Sequence, residues 1–264
     1  MRRRASWPEI LLARLAARPR ALVVLDFDGT LVPTRARPEL ARLGAEARST
    51  LRRLDRGGAR VALMSGRSVS DLRRCVGVRG LHYGGAFGLE MAGPGWGYVH
   101  PKARAMLRAL SVLARGLDTL FADVPGVRVE DKRVGFCVHY RAVAHERRRE
   151  FERRLAHARA AAPRGLRWTR GRLSWEVTPR TAWDKGTAAK LLWRRLGRPY
   201  LLVIGDERFD EPMLRLAHEL GAGIRVGRGS SESLRRFKDS NSVWRFLRRL
   251  ADRRSVRGSR RGGR

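Results

Sequence analysis

The chain has only two cysteines in 264 residues, Cys75 and Cys137, and they lie far apart. That count and spacing exclude a disulfide framework and a cysteine-based metal site, and they fit a reducing compartment. No uninterrupted apolar run approaches the ~20 residues of a membrane-spanning helix. The basic start Met1-Arg2-Arg3-Arg4 does not read as a signal peptide. Arg14, Arg18 and Arg20 break the apolar stretch behind it, and no small-residue cleavage site follows. These absences give the expectation of a cytoplasmic protein without membrane contact. Lysine is also scarce, with five among 58 basic residues against 25 acidic ones, so arginine dominates a formal charge of +33. Such an excess suits an anionic partner such as nucleic acid. Here it is spread from end to end rather than gathered in one stripe. With abundant Ala and Gly, it fits the residue usage of a GC-rich genome and solvated helix faces. Residues 253–264, built from Arg, Gly and Ser with little else, are the exception. They read as a mobile basic tail capable of weak, non-specific contact with nucleic acid or another anion.

What is present is a core-forming chain. Hydrophobic residues make up 43%, enough at this length for one large domain or two modest ones. The most informative stretch is Ala21-Leu22-Val23-Val24-Leu25-Asp26-Phe27-Asp28-Gly29-Thr30-Leu31. A short apolar run bounded by a turn signal reads as a buried parallel strand. Ligands in open α/β sheets bind just beyond the carboxyl ends of such strands. Residues two apart in an extended segment point the same way, so Asp26 and Asp28 repel unless a cation or a proton is shared between them. A hard divalent ion with oxygen ligands, Mg²⁺ beside a phosphate, resolves the repulsion.

The rest of the chain alternates. Helical spacing marks residues 7–17, 38–56 and 69–75, with short apolar strands at 60–64 and 81–88. This β-α-β-α-β order predicts a right-handed, mostly parallel sheet covered by helices. The middle differs. A helix over 101–121 precedes strand-like segments at 127–130 and 134–140. A polar helix over 144–161 precedes a hairpin of 166–169 and 173–177 through Arg170-Gly171. The last third returns to the first pattern, with helices over 183–196, 211–220 and 231–251 and strands at 200–204 and 224–226. The expectation is a discontinuous α/β core, residues 1–100 and 183–252, with an inserted α+β domain at 101–182.

Three further segment ends carry chemistry. Ser65 closes Val-Ala-Leu-Met at a Gly, where a hydroxyl and backbone N–H groups can hold a phosphate oxygen; a Ser there also serves as a helix cap. Lys185, in Trp183-Asp184-Lys185-Gly186, is a rare lysine at a helix start, able to neutralise a carboxylate and a phosphate together or simply to face water. Leu201-Leu202-Val203-Ile204-Gly205-Asp206-Glu207 is another buried strand ending in acids. Asp210 and Glu211 behind it fit a helix N-terminus enriched in acids, an explanation that does not reach Asp206.

Acids, hydroxyl, cation and acids in this order resemble the haloacid-dehalogenase-like hydrolase superfamily, whose Rossmann-like core the α/β pattern matches. The resemblance implies Asp26 as nucleophile and Asp28 as general acid/base. It also implies Ser65 and Lys185 on the phosphoryl group, and Mg²⁺ held by Asp26, Asp28 (through its carbonyl) and Asp206. Glu130-Asp131-Lys132, Val138-His139-Tyr140-Arg141, Trp175-Glu176-Val177-Thr178-Pro179, Ser65-Gly66-Arg67 and the run from Gly205 to Glu211 narrow it. They look like trehalose-6-phosphate phosphatases, from Leu22 to about Leu247. That likeness implies a phosphorylated disaccharide substrate, an α+β cap over the core, and Glu130, Lys132 and Glu176 reaching the sugar hydroxyls, with Arg67 among the substrate contacts. His139 reads as a plain strand residue. Two positions depart from the family pattern: Phe87 and Phe209 stand where His and Thr are common, giving a more apolar pocket floor.

Overall fold

Ala21–Leu25 is buried along its whole length, as expected of a strand with neighbours on both sides and helices on both faces. The computed structural model describes residues 6–33, 40–171 and 173–261, with side chains through Ser255. In chain order its elements are α1 (Trp7–Ala17), β1 (Ala21–Leu25), α2 (Ala45–Arg56), β2 (Ala59–Met64), α3 (Val69–Val76), β3 (His82–Gly85), β4 (Glu90–Gly93), β5 (Trp96–Val99), α4 (Pro101–Leu120), β6 (Arg128–Asp131), β7 (Phe136–His139), α5 (Arg148–Ala161), β8 (Leu166–Arg170), β9 (Ser174–Pro179), α6 (Lys185–Arg195), β10 (Tyr200–Gly205), α7 (Glu211–Leu220), β11 (Gly221–Val226), β12 (Arg236–Phe237) and α8 (Ser240–Arg261). The chain divides into two units, Met1–Gly97 with Trp183–Arg264, and Tyr98–Ala182.

The first unit holds a sheet ordered β12-β11-β10-β1-β2-β3-β4-β5. Strands β12 through β3 run parallel, and β4 pairs antiparallel with β3. Chain order reverses at β1, where β10 lies on one side and β2 on the other, so the crevice beyond their carboxyl ends is a topological switch point. The second unit is a four-stranded antiparallel sheet, β6-β7-β9-β8. Phe136, Val138 and Val177 pack on one of its faces with Leu110 and Leu117 of α4 and Phe151 of α5. Among the described residues, no helix is long and apolar enough to cross a membrane.

Several boundaries differ from the sequence expectation. The helix foreseen from Pro38 begins at Ala45, because Gly44 at its N-cap is extended (ψ 170°) and Leu43 is buried from a loop; residues 38 and 39 lie outside the described residues. The β4–β5 hairpin was not foreseen. The helix foreseen from Ser231 begins at Ser240, after the edge strand β12, with the Asp239 carboxylate accepting from the Ser242 N–H at 2.8 Å.

The largest correction concerns the basic tail as far as Arg261; residues 262–264 lie outside the described residues. Helix α8 runs on to Arg261, and Arg254 is 3% exposed. Its guanidinium donates to the carbonyls of Leu15 (2.7 Å), Gly57 (2.8 Å), Arg18 (3.2 Å) and Pro19 (3.4 Å), at the C-terminal ends of α1 and α2. A planar cation satisfies orphan helix-end carbonyls and meets the negative ends of two helix dipoles. Composition alone does not separate this arginine from its solvated neighbours. Arg254→Ala is therefore expected to destabilise the protein by about 2–4 kcal/mol. Arg254→Lys should recover less than half of that, because an ammonium lacks the fork. Urea unfolding measures both, and wild-type stability in Arg254→Ala would refute the anchoring role.

Candidate active site

The polar residues at the switch point converge on one ammonium group. Asp26 follows β1 directly, its N–H held by the Ile204 carbonyl at 3.0 Å, and its side chain is buried. Lys185 opens α6 just after the N-cap Asp184, whose carboxylate accepts from the Thr187 N–H at 2.7 Å. Its Nζ donates to Asp26 Oδ1 at 2.7 Å and to Asp210 Oδ1 at 2.6 Å. Burial opposes this ammonium, but the charges of Asp210 and Asp26 outweigh burial and move its pKa upward. Asp210 is fully buried, and its Oδ2 accepts from the N–H groups of Asp206 and Glu207 at 2.9 Å each. It is thus a site residue, anchoring Lys185 and the turn after β10, rather than one of several acids at a helix start. The Gly-Asp-Glu-x-x-Asp spacing was the available signal. Its neighbour Glu211 is taken up by Arg225 and Ser231.

Asp206 stands at the end of β10 and accepts from Thr30 Oγ1 at 2.9 Å. The chain passes beside it at Gly29, which has φ +86°; a Cβ there would lie 2.0 Å from Asp206 Oδ2. Only glycine allows that approach, so the Gly of Asp-x-Asp-Gly-Thr is explained by the second acidic strand end.

Carboxylate oxygens of Asp26, Asp206 and Asp210 lie within 4.8 Å of one another. Asp26 Oδ2 is buried with no hydrogen-bond partner. Burial and the Asp210 charge lift the Asp26 carboxyl well above its ordinary value, against the opposing charge of Lys185. Burial also raises Asp206. One ammonium cannot compensate three carboxylates, and the charges of Asp210 and Asp206 both bear on Asp26. The donor set is hard oxygen throughout. Asp210 is already taken by Lys185 and backbone N–H groups, which leaves Asp26 and Asp206 as the side chains suited to a small divalent cation.

Asp28, two residues beyond Asp26, is half-buried. Arg67 forks onto it, Nε to Oδ2 and Nη2 to Oδ1, both at 2.7 Å. Arg67 Nη1 also donates to Asp71 at 2.6 Å, and its guanidinium lies 5.3 Å from the centre of the Phe27 ring. The residue foreseen as a substrate contact is therefore engaged in orienting Asp28, a link that no spacing in the sequence announced. Ser65 is buried at the end of β2, its N–H held by Gly84 and its Oγ accepting from the Arg67 N–H at 3.2 Å.

The other foreseen residues lie in the second unit. Glu130, Cys137 and Glu176 are in register across β6, β7 and β9, so they share the sheet face opposite the apolar one. Lys132, buried in the turn after β6, donates to both Glu176 oxygens at 2.9 and 2.8 Å. His139 is a strand residue, as read, but it has a partner, Glu130 Oε2 at 2.8 Å from its Nε2.

The parallel sheet with acids beyond β1 and β10 is the fold of the haloacid-dehalogenase-like hydrolases. A trehalose-6-phosphate phosphatase related protein matches with a TM-score of 0.78 at 19% identity, over 90% of this chain and all of that one. A haloacid dehalogenase-like hydrolase from Bacteroides thetaiotaomicron gives 0.61 at 17% identity, over 88% and 99%. A family model of trehalose-phosphatases matches residues 24–243, and the chain belongs to that family. A trehalose-phosphate phosphatase of Mycobacterium marinum is 33% identical over 252 residues, 91% of this chain and 64% of that protein. An uncharacterized glycosyl hydrolase of Mycobacterium tuberculosis is 36% identical over 256 residues, again 91% of this chain but 19% of that protein. The chain thus spans less than two thirds of the length of these relatives.

The Glu130 pairing gives a pH expectation. Burial pushes its carboxyl up, but the hydrogen bond from His139 and the charge of Lys132 outweigh burial and hold it at about 2, below 4.5. A folded-state pKa that is depressed contributes stability fully present above about pH 4.5 and lost as pH falls toward 2. Glu130→Gln should flatten the acid limb of thermal stability between about pH 2 and pH 5. An acid limb identical to wild type would show that the pair contributes nothing.

Proposed function

We propose that this protein is a Mg²⁺-dependent phosphatase that converts trehalose 6-phosphate to trehalose and phosphate through an aspartyl-phosphate on Asp26. The observation that carries the reading is the arrangement around Lys185. Its ammonium holds one oxygen of Asp26 and leaves the other without a partner, at the carboxyl end of the central strand. A carboxylate so placed is aimed and electrostatically supported rather than merely solvated. Family membership supports the substrate. A cytoplasmic setting suits two free, buried thiols.

In the first step the Asp26 carboxylate forms an O–P bond, and the ester oxygen leaves with a proton from Asp28. In the second, Asp28 takes a proton from water, the water oxygen bonds to phosphorus, and the Asp26 carboxylate is released. Arg67 fixes the direction of the Asp28 carboxylate for both transfers. Ser65 Oγ holds a phosphoryl oxygen, and Lys185 offsets the repulsion between carboxylate and phosphate. Asp26, Asp206 and the Asp28 carbonyl would hold Mg²⁺, which supplies further charge neutralisation at the phosphoryl group. The polar face of the second unit, with Glu130, Lys132 and Glu176, supplies hydroxyl-binding groups for the disaccharide.

Asp26→Asn should lower kcat by more than about a thousandfold while leaving the circular dichroism spectrum unchanged. Chelation of divalent ions should abolish wild-type turnover, and Mg²⁺ should restore it. Phosphate release from trehalose 6-phosphate reads both; substantial turnover by Asp26→Asn would remove the nucleophile assignment.

The sugar-binding role is tested with Glu176→Gln, because alanine would leave the buried Lys132 ammonium unpaired and threaten the fold. A lost charged hydrogen bond of about 1.5–3 kcal/mol corresponds to roughly a ten- to hundredfold fall in kcat/KM for trehalose 6-phosphate. A small aryl phosphate, lacking sugar hydroxyls, should change less than about threefold. Equal losses on both substrates would assign Glu176 to the fold rather than to the sugar.

A further inference from the structure

Two aromatic side chains 122 positions apart meet in the first unit, just beyond the carboxyl ends of two strands of its sheet. Phe87, after β3, and Phe209, after β10, bring their ring centres to 5.2 Å, and both remain half-buried. The Phe87 N–H donates to the Ser65 carbonyl at 3.0 Å, and its ring lies 3.0 Å from where a Gly66 Cβ would stand. Phe209 sits between Asp206 and Asp210, with the Arg208 guanidinium 4.9 Å from its ring centre.

The backbone holds Phe87 there against its own preference. Ala86, Phe87 and Gly88 are consecutive left-handed residues, with φ of 46°, 59° and 86°. Two of them carry side chains, for which this region is costly. The turn is held by Ala86 N–H to the Arg67 carbonyl, Leu89 N–H to the Ala86 carbonyl, and Trp183 Nε1 to the Gly88 carbonyl. Part-exposed aromatic surface beside charged groups gains free energy when an apolar surface covers it.

We propose that Phe87 and Phe209 form an aromatic platform at the mouth of the phosphate site that packs against the apolar C–H face of the leaving group. The platform makes this site selective for phosphate esters whose leaving group presents a flat apolar face within reach of the phosphate, a pyranose or an aryl ring, over small aliphatic phosphates. This deepens the function proposed above and rests on it for the phosphate site and for the identity of the sugar. Arg208, over the Phe209 ring, keeps that ring in place and adds a cation beside it.

The test separates the platform from turnover by using phosphonates, which are not hydrolysed. Calorimetric titration of phenylphosphonate and methylphosphonate into the intact protein with Mg²⁺ should show about a tenfold preference for the phenyl compound. Phe209→Ala should bring the two affinities within about twofold, whereas Phe209→Tyr, which keeps the ring face, should retain the preference. Phe209→Leu, which keeps bulk without a π face, replaces the alanine variant if that one fails to fold. In kinetics, the truncated variant should lose about five- to twentyfold in kcat/KM on trehalose 6-phosphate, mostly through KM, and stay within about twofold on acetyl phosphate. A wild-type protein without preference between the phosphonates, a preference surviving truncation, or equal kinetic losses on both phosphates would each overturn the platform. Intact phosphonate preference in a wild-type protein inert toward trehalose 6-phosphate would overturn the substrate instead and leave the platform standing.

Discussion

The Lys185 ammonium, held between Asp26 and Asp210 at 2.7 and 2.6 Å, is the interaction on which the site depends. Three carboxylates gather at adjacent strand ends, and burial makes their mutual repulsion severe. A lysine at the first turn of α6 is short enough to reach both acids and compact enough to fit under them. Asp210 in turn ties the turn after β10 to the same charge through two backbone N–H groups. The pairing of β10 with β1 brings these acids together, and the ammonium makes the gathering tolerable.

Beyond that centre, charged side chains within each unit are arranged in pairs whose members come from different elements. Arg67, in the turn between β2 and α3, orients Asp28 after β1. Lys132 after β6 meets Glu176 on β9, and His139 on β7 meets Glu130 on β6. Each pair fixes a side chain that would otherwise be long and mobile, which is what placement of a polar ligand requires. The aromatic contact of Phe87 with Phe209 is the apolar counterpart. It joins the turn after β3 to the turn after β10 and brings hydrocarbon to a site otherwise built from charge.

Much of the fold was legible in the chain because its main signals are local. Continuous apolar runs gave β1, β2 and β10, and helical spacing gave α4, α6 and α7. Boundaries failed where one residue overrode the pattern: Gly44 ended the reach of α2, and two residues of edge strand broke the segment before α8. The β4–β5 hairpin, Glu-Met-Ala-Gly and Trp-Gly-Tyr-Val around Pro94-Gly95, offers too short an alternation to stand out.

The sequence by itself determined that Asp26 and Asp28 end a buried strand and that Asp206 ends another, because strand burial and turn chemistry are written in neighbouring residues. It also determined that Glu130 and Glu176 lie on strands of a different sheet. Only the tertiary structure decided which charges pair. Among 58 basic residues, the ones that matter are chosen by distances between residues 159 and 39 positions apart, as for Lys185 with Asp26 and Arg67 with Asp28. The same holds for Arg254, an arginine among many in composition, which is buried because two helix ends present their carbonyls to it. Electrostatic partnership falls off with distance in space, and spacing along the chain carries no record of it.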